Sequence, residues 1–290
     1  MGYGISGVQN LIELYSLGYL EGKKSVIEFG SQELHIKSQD LKELLSMVDI
    51  KFEKSLFPNS DNWPNSPRCS SKSLYKALGL DEYYSFDLNG ELNSINWDFN
   101  VPFENKEFFS KFDIVTDHCA CGHAFNSAEA YRTMHKLCKK DGLIIGILPL
   151  WKGNSYYLYD NCFFEGLAAA NEYKILFNSY IVNSGKKTQY GSEMDFHIPL
   201  NRELLNSFDM TKIQWIGVCA VMKKTSEKEF KYPYQGTVLK NKERILGFNR
   251  QFYKDPLSYS YIPVFDLQTT PGKLLIKELF RKIKNKLIRN

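Results

Sequence analysis

Four carboxylates stand at or near the ends of predicted β-strands, where they could bind a ligand. They are Glu28, Asp87, Asp98 and Asp117. A carboxylate in such a place loses hydration free energy unless it finds hydrogen-bond donors. Because an ionised carboxylate only accepts hydrogen bonds, suitable donors are the hydroxyls of a ribose or an exocyclic amine. The four acids therefore indicate a binding site. A plainer interpretation stays open for two of them, since Asp87 precedes an Asn-Gly turn and Asp98 could open a loop.

A second group of reactive side chains lies within six residues: His118, Cys119, Cys121 and His123. Cysteines and histidines can bind zinc, but structural zinc sites normally add a second, distant pair of ligands, and the sequence has none at a matching spacing. We therefore predict no metal site, and we expect the thiols to line a pocket. His123 is the first candidate for a general base and His118 the second, because imidazole exchanges protons near neutral pH. The alternative for His123 is a cap on the following helix.

The elements that must position these residues follow from hydrophobic patterning. Predicted strands lie at 24–29, 83–88, 94–99, 112–116, 143–150, 173–182 and 213–223. Predicted helices lie at 38–48, 73–80, 128–140, 163–170 and 201–207, and 183–200 is expected to be a polar loop. This alternation predicts an α/β, doubly wound, parallel sheet. In such sheets ligands bind outside the carboxyl ends of the strands, which is where the acids fall.

Composition and charge exclude several classes of protein. Hydrophobic residues make up 43% of the 290 and charged residues 24%, which argues for a folded core and against a disordered chain. No apolar run is long enough to span a membrane, and the N-terminus lacks a secretory pattern. The six cysteines show no disulfide framework, so we expect reduced thiols and a cytoplasmic protein.

The positive charge is concentrated at the C-terminus. Residues 272–290 hold seven Lys or Arg and one acid, a net of +6, so the other residues carry −2 of the total of +4. The apolar residues of this tail recur at helical spacing, which predicts a basic amphipathic helix. It could dock on the domain or on a second copy in a homodimer, lie on the anionic inner membrane surface, or contact nucleic acid. The slightly acidic remainder argues against nucleic-acid binding by the domain itself.

Three stretches resemble the class I S-adenosylmethionine-dependent methyltransferases. They are VIEFGSQ at 26–32, FDLNG at 86–90 and FDIVTDHCACGHAFNSAEAYRTMHKLCKKDGLIIGILPL at 112–150. The likeness covers roughly residues 20–225, and the third stretch is similar to a divergent subgroup associated with polysaccharide or secondary biosynthesis. It implies a mostly parallel seven-stranded sheet with an antiparallel last strand. It also implies a domain over 1–225, with a cap helix at 1–20 and an irregular insertion at 52–72, followed by a connector at 226–271 packed on the domain.

The resemblance also implies roles for individual residues. The cofactor is expected to contact Glu28, Gly30, Ser31, Gln32, Asp87, Leu88, Asp98, Phe99 and Asp117. Gly30 lets the backbone approach the methionine part, and Glu28 orients that loop or meets the ammonium group. Asp87 accepts from both ribose hydroxyls, and Asp98 accepts from the adenine amine with Phe99 beside the ring. Asp117 and His118 line the sulfonium end.

The resemblance implies transfer of a methyl group to an oxygen or nitrogen of a small, sugar-like acceptor. Two departures favour an alternative, a non-catalytic binding or assembly module with the same fold. Only Gly30 remains of the three glycines usual in the cofactor loop, because Gln32 and Leu34 occupy the other two positions. Gly122 stands where relatives often carry an acid. A nicotinamide-binding protein is disfavoured because no G-x-G-x-x-G follows the first strand.

Overall fold

The computed structural model describes residues 2–234, and a twisted β-sheet runs through their centre. The strands are β1 (Gly2–Tyr3), β2 (Ser25–Phe29), β3 (Glu33–Leu34), β4 (Glu82–Asp87), β5 (Ile95–Asn96), β6 (Phe112–His118), β7 (Cys138–Trp151), β8 (Lys174–Lys187), β9 (Glu193–Ile198) and β10 (Trp215–Lys223). The helices are α1 (Ile5–Ser16), α2 (Ser38–Ser46), α3 (Lys72–Ala77), α4 (Ser127–Leu137), α5 (Cys162–Asn171) and α6 (Arg202–Asn206).

The main sheet has the strand order β5-β4-β2-β6-β7-β10-β8-β9, and β1 and β3 form a separate parallel pair. The first five strands of this order are parallel to one another. The last strand in the chain, β10, lies antiparallel between β7 and β8. The predicted fold class is therefore confirmed: α/β, doubly wound and mostly parallel, with an antiparallel last strand.

The prediction of seven strands was wrong by one, because β9 lies in the segment expected to be a polar loop. Its sequence, Glu193–Ile198, alternates polar and apolar residues, which is the pattern of a strand with one covered face. It pairs antiparallel with β8 at the edge of the sheet, where Tyr180 faces Ile198. This edge strand brings Asp195 close to α1.

Two hydrophobic clusters cover the two faces of the sheet. One contains Met134 of α4 and Leu167 of α5, and the other contains Leu11 of α1 and Leu44 of α2. The central strands are buried on both sides, which explains the nearly continuous apolar run 143–148 in β7. Successive side chains of β2 and β6 point to opposite clusters. A shift of one position along either strand therefore changes the face of the sheet to which a polar side chain points.

The described residues include the expected cap region from Gly2 onward and the start of the expected connector, 226–234. α1 occupies most of the expected cap region 1–20, and it packs against α2 and β9. The described start of the expected connector contacts the domain, since Asn171 exchanges two hydrogen bonds with the backbone of Lys231. The rest of the connector and the basic tail at 272–290 lie outside the described residues. No helix in residues 2–234 is long and apolar enough to cross a membrane.

Candidate functional site

A cavity of about 330 Å³ opens at the carboxyl ends of β2, β4 and β5, and we call it the first cavity. Its wall consists of Gly30, Ser31, Gln32, Glu33, Arg68, Asp87, Leu88, Asn89, Glu91, Trp97, Asp98, Phe99, Asn100, Ala120, His123 and Ala124. Pockets for small molecules typically measure roughly 300–1,000 Å³. The first cavity therefore has room for one small ligand, at the edge of the sheet where ligands of α/β proteins bind.

The turn after β2 forms the floor of the first cavity, and it depends on Gly30. This glycine has a φ of +88°, a conformation that L-residues rarely adopt, and its N–H donates to the carbonyl of Phe86 at 2.7 Å. A Cβ at this position would lie 2.7 Å from Nε2 of Gln32 and 2.9 Å from Cβ of Ala120. The absence of a side chain at Gly30 therefore allows the side chain of Gln32 and the loop after β6 to pack directly against the turn.

Asp87 joins the end of β4 to this turn. Its Oδ2 accepts hydrogen bonds from the backbone N–H and from the hydroxyl of Ser31, both at 2.8 Å. Its Oδ1 accepts from the backbone N–H of Asn89 at 3.2 Å, which is the contact that the turn interpretation predicts. Because a carboxylate oxygen can accept two hydrogen bonds, Oδ1 keeps capacity for a further donor in the cavity.

Aromatic side chains form the wall at the β5 end. Phe99 packs against Trp97 with ring centroids 5.2 Å apart and against Phe29 at 5.4 Å. The indole N–H of Trp97 is buried and has no hydrogen-bond partner among the described residues. Beside it, Oδ1 of Asp98 accepts from the backbone N–H and the side-chain amide of Asn100, at 2.9 and 2.8 Å. This wall offers an aromatic surface, one donor and one carboxylate to a ligand.

The opposite end of the first cavity carries groups that the sequence did not single out. Nη1 of Arg68 donates to both carboxylate oxygens of Glu33, at 3.0 and 2.8 Å. Burial disfavours the charged form of Glu33, but bonds from His35 and Arg68 outweigh it and lower the pKa of this carboxyl. Oε1 of Gln32 is buried and has no hydrogen-bond partner among residues 2–234. This end therefore presents a guanidinium, a carboxylate and a free amide oxygen.

Eight of the predicted site residues come together in the first cavity. They are Gly30, Ser31, Gln32, Asp87, Leu88, Asp98, Phe99 and His123. The turn residue Gly30, the acid that ends β4 and the acid that follows β5 supplied the signal. Arg68 and Glu33 were missed because the first lies in the irregular insertion and the second follows the turn. The short strand β3, which begins at Glu33, gave no signal of its own.

Glu28 does not line the first cavity, so its expected contact with the cofactor is corrected. It points to the α1 face of the sheet and is fully buried. Its Oε2 accepts from the hydroxyls of Ser71 at 2.5 Å and Tyr83 at 2.7 Å. Burial raises the pKa of this carboxyl, and the hydroxyl donors partly offset the rise. Because Glu28 lies one residue before the end of β2, the elements packed on the sheet cover it, and its role is to hold them.

Asp117 is a second correction. The strand β6 extends to His118, two residues beyond the predicted end, so Asp117 lies inside the sheet and points toward α4. It accepts from the hydroxyl of Tyr131 at 2.8 Å and from the backbone N–H of Cys121 at 3.0 Å. Burial raises the pKa of its carboxyl. Asp117 therefore shapes the loop 119–123, and this loop in turn lines the first cavity.

The two candidate bases lie on different sides of this loop. His123 is exposed at the rim of the first cavity, and partial burial lowers the pKa of its imidazole. His118 is buried, and its ring lies against Tyr3 with centroids 4.0 Å apart. Burial lowers the pKa of His118 to about 3, so its imidazole is neutral near pH 7. The structure therefore brings only His123 to the first cavity.

His118 lines a second cavity of about 290 Å³ on the α1 side. The wall of the second cavity consists of Gly2, Gly4, Ser6, Gly7, His35, His118, Cys119, Ile147, Pro149, Lys152, Gly153, Asn154, Ser155, Asn183, Glu193, Asp195 and Trp215. All six cysteines of the chain are free thiols. Within residues 2–234, no group of three or more His, Cys, Asp or Glu side chains is arranged to hold a metal ion.

No protein-family model and no curated protein matches the sequence at a significant level. Solved structures of methyltransferases are similar to it at low identity. An S-adenosylmethionine-dependent methyltransferase of Thermotoga maritima is 10% identical, with 75% of this chain and 91% of that chain covered and a TM-score of 0.34. The 1,6-didemethyltoxoflavin-N1-methyltransferase of Burkholderia thailandensis, solved with S-adenosylhomocysteine, is 10% identical, with 75% and 80% covered and a TM-score of 0.36. A candidate sarcosine dimethylglycine methyltransferase of Galdieria sulphuraria is 8% identical, with 77% and 86% covered and a TM-score of 0.41.

Proposed function

We propose that this chain transfers a methyl group from S-adenosylmethionine to an oxygen or nitrogen of a small, sugar-like acceptor. The observation that carries the proposal is the order of polar groups along the first cavity. The neighbouring strands β5, β4 and β2 present Asp98, then Asp87, then the turn at Gly30. A ligand that combines a base, a ribose and an amino acid needs donors and acceptors in this order. The sugar-like acceptor follows from the likeness to the biosynthetic subgroup.

At the nucleoside end, the adenine would lie against Phe99 and Trp97. Asp98 would accept from the exocyclic amine, and the unpartnered indole N–H of Trp97 would find an acceptor on the ligand. A buried donor without a partner costs about 1–3 kcal/mol, so a ligand that satisfies it gains affinity. Oδ1 of Asp87 would accept from a ribose hydroxyl, while Oδ2 stays bonded to Ser31.

At the amino-acid end, the charges of the wall are complementary to a zwitterion. Arg68 would bind the carboxylate, and Glu33 with the free amide oxygen of Gln32 would bind the ammonium group. Glu33 already holds the guanidinium in place through its two hydrogen bonds. These residues take over the role that the resemblance gave to Glu28.

When bound, the cofactor supplies an electrophilic methyl group, whose transfer leaves an electron pair on sulfur and frees the proton of the acceptor. The chain aligns the acceptor with this group, which can contribute many kcal/mol. His123, on the loop held by Asp117, would take the proton from the acceptor and add roughly 10²–10⁴-fold. His118 is the second candidate because it lines the neighbouring cavity.

The alternative, a binding module without catalysis, rested on the missing glycines and on Gly122 in the place of an acid. In the structure the two replacements do not obstruct the first cavity. Leu34 is 1% exposed in the core, where β3 pairs with β1. Gln32 turns its amide Nε2 to the carbonyl of Phe29 at 3.1 Å. Leu34 therefore serves the core and Gln32 braces the turn, and neither replacement closes the first cavity.

An activity measurement separates the two functions. The chain is incubated with S-adenosylmethionine and a mixture of neutral, aminated and phosphorylated sugars, and S-adenosylhomocysteine is quantified by mass spectrometry. We expect acceptor-dependent product, and we expect His123→Ala to lower turnover while leaving cofactor affinity unchanged. Cofactor binding without any product would favour the binding module. We also propose that this activity takes place in the cytoplasm, because the six cysteines are free thiols.

A further inference from the structure

Building on the proposed function, we infer that the second cavity is the acceptor pocket and that it takes a small amino sugar. The second cavity lies between α1, the end of β6 and the edge strand β9. The acceptor would be recognised by Asp195 and Glu193, two acids of β9 that do not line the first cavity.

The second cavity adjoins the first at two places. On the loop after β6, Cys119 lines the second cavity and its neighbour Ala120 lines the first. At β3, Glu33 lines the first cavity, while His35, the residue after this strand, lines the second and contacts Glu33 through Nε2 at 3.3 Å. A molecule in the second cavity is therefore separated from the amino-acid end of the first by single side chains. An acceptor of the transferred group requires such a position. Of the two candidate bases, His118 lines this pocket and His123 does not, so the second candidate would have the place beside the acceptor.

The wall of the second cavity is rich in hydrogen-bond acceptors. Asp195 accepts at Oδ1 from the backbone N–H of Ser6 at 3.1 Å and at Oδ2 from the Ser6 hydroxyl. Gly4 makes room beside this carboxylate, since a Cβ there would lie 2.9 Å from Oδ2. Oε2 of Glu193 accepts from the side-chain amide of Asn183 at 3.2 Å. Hydroxyl and amide groups of Ser155 and other residues complete a wall suited to a polyhydroxylated ligand.

The charge of the second cavity favours a cation over an anion. Burial raises the pKa of Asp195, and the hydrogen bonds from Ser6 partly offset the rise, while Glu193 is exposed to solvent. Burial lowers the pKa of both His35 and His118, so neither imidazole adds a positive charge near pH 7. Lys152 also carries a positive charge in this wall, and its ammonium group donates to the carbonyl of Ile213 at 3.1 Å and lies 4.2 Å from the ring centroid of Trp151. An amine on the ligand would be attracted to the two acids of β9, and a phosphate placed beside those acids would be repelled.

The size of the second cavity and its one aromatic side chain fit a single sugar ring. At about 290 Å³ it lies at the lower end of the range for small-molecule pockets. The indole of Trp215 is partly buried and offers an apolar face to the C–H side of a sugar. A nucleotide-linked or phosphorylated sugar would bring negative charge against Asp195 and Glu193. We therefore assign an unphosphorylated amino sugar.

The test measures sugar binding to protein that has been saturated with S-adenosylhomocysteine. D-glucosamine, D-glucose and D-glucose 6-phosphate are titrated by calorimetry. We expect D-glucosamine to bind most tightly and the phosphate least. Asp195→Asn keeps an acceptor for the N–H of Ser6 but removes the charge, so it should weaken D-glucosamine binding about tenfold. Glu193→Gln, on an exposed residue, should act in the same direction without any risk to folding.

Asp209→Asn is the matched control, because Asp209 lines neither cavity and its change should leave sugar binding unaltered. The inference is overturned if the saturated protein binds none of the three sugars, if it prefers the phosphate, or if both β9 variants bind D-glucosamine as tightly as the wild type. Each of these results leaves the proposed function standing. Failure to saturate the protein with S-adenosylhomocysteine instead removes the proposed function, and the inference with it.

Discussion

The carboxylate of Asp87 holds both the backbone N–H and the hydroxyl of Ser31, each at 2.8 Å. This pair of bonds ties the end of β4 to the turn after β2, and it fixes the position of the turn relative to the acid. The same carboxylate has an oxygen that faces the first cavity. Asp87 therefore holds the turn in place and also offers an acceptor to a ligand. The stability of an Asp87 variant and its affinity for ligand can be measured separately.

Replacing Asp87 by Ala should weaken S-adenosylhomocysteine binding by about 1–3 kcal/mol, because a ribose hydroxyl loses its acceptor. The measurement is calorimetric titration of the variant and the wild type. Asp81→Ala is the control, since Asp81 is exposed and precedes β4 on the far side of the strand from the cavity. Ser31→Ala removes the hydroxyl while keeping the ribose acceptor, so its effect should be smaller. Unchanged affinity in Asp87→Ala would refute this placing of the ribose.

Gly30→Ala should reduce both stability and cofactor affinity. The conformation with φ of +88° costs an L-residue roughly 1–2 kcal/mol, and the new Cβ would also press on Ala120. Gly79→Ala is a matched control, because Gly79 has a φ of +84° with no atom within 4 Å of an added Cβ. The free energy of unfolding in urea should fall further for Gly30→Ala than for Gly79→Ala. If the two variants lose the same free energy of unfolding and Gly30→Ala binds S-adenosylhomocysteine as the wild type does, the close packing of Gly30 against Ala120 is contradicted.

Arg68→Gln should weaken binding of S-adenosylhomocysteine but not of 5′-methylthioadenosine, which lacks the amino-acid part. The physical reason is that the guanidinium would contact only the carboxylate of the ligand, a charged hydrogen bond worth roughly 1.5–3 kcal/mol. Calorimetry with both ligands gives the comparison, and Asp87→Ala serves as the reference because it should weaken both. If Arg68→Gln lowers the affinity for the two ligands equally, Arg68 does not mark the amino-acid end.

The buried imidazole of His118 should make stability depend on pH. Its folded pKa of about 3 lies below the ordinary value of 6.5, so the native state resists protonation. No penalty arises above pH 6.5, and the loss of stability grows as the pH falls from 6.5 toward 3. His118→Gln should lose less stability than the wild type between about pH 7 and about pH 5, measured by urea unfolding. His123→Gln should change the profile in the same direction but by less, because His123 lies at the exposed rim and only partial burial lowers the pKa of its imidazole. Parallel profiles for the wild type and His118→Gln would contradict the buried, neutral state of His118.

Local sequence patterns predicted which strand ends carry the site, but contacts between distant segments determine which side chains reach it. Gly30 and Asp87 could be identified because a buried strand followed by a glycine turn or an acid is a local signal. Glu28 and Asp117 carried the same signal, but each lies within its strand, where the pleat turns it to a covered face. Patterning fixes the ends of strands only to within a few residues. A shift of one or two residues decides whether an acid meets solvent or the core.

The second cavity could not be predicted from local pattern, because its wall combines segments that are distant in the chain. Asp195 meets Ser6 across 189 residues. The alternation of polar and apolar residues in 193–198 was a usable signal for a strand, although not for its place at the sheet edge. Arg68 in the irregular insertion had no periodic pattern at all. Its role became visible only through its two bonds to Glu33.

The central claim is that the first cavity binds S-adenosylmethionine, and calorimetric titration with S-adenosylhomocysteine tests it most directly. We predict saturable binding of one ligand per chain with a dissociation constant well below millimolar, and weaker binding by Asp87→Ala. The absence of heat exchange and of binding at millimolar concentrations of both S-adenosylhomocysteine and S-adenosylmethionine would contradict the claim.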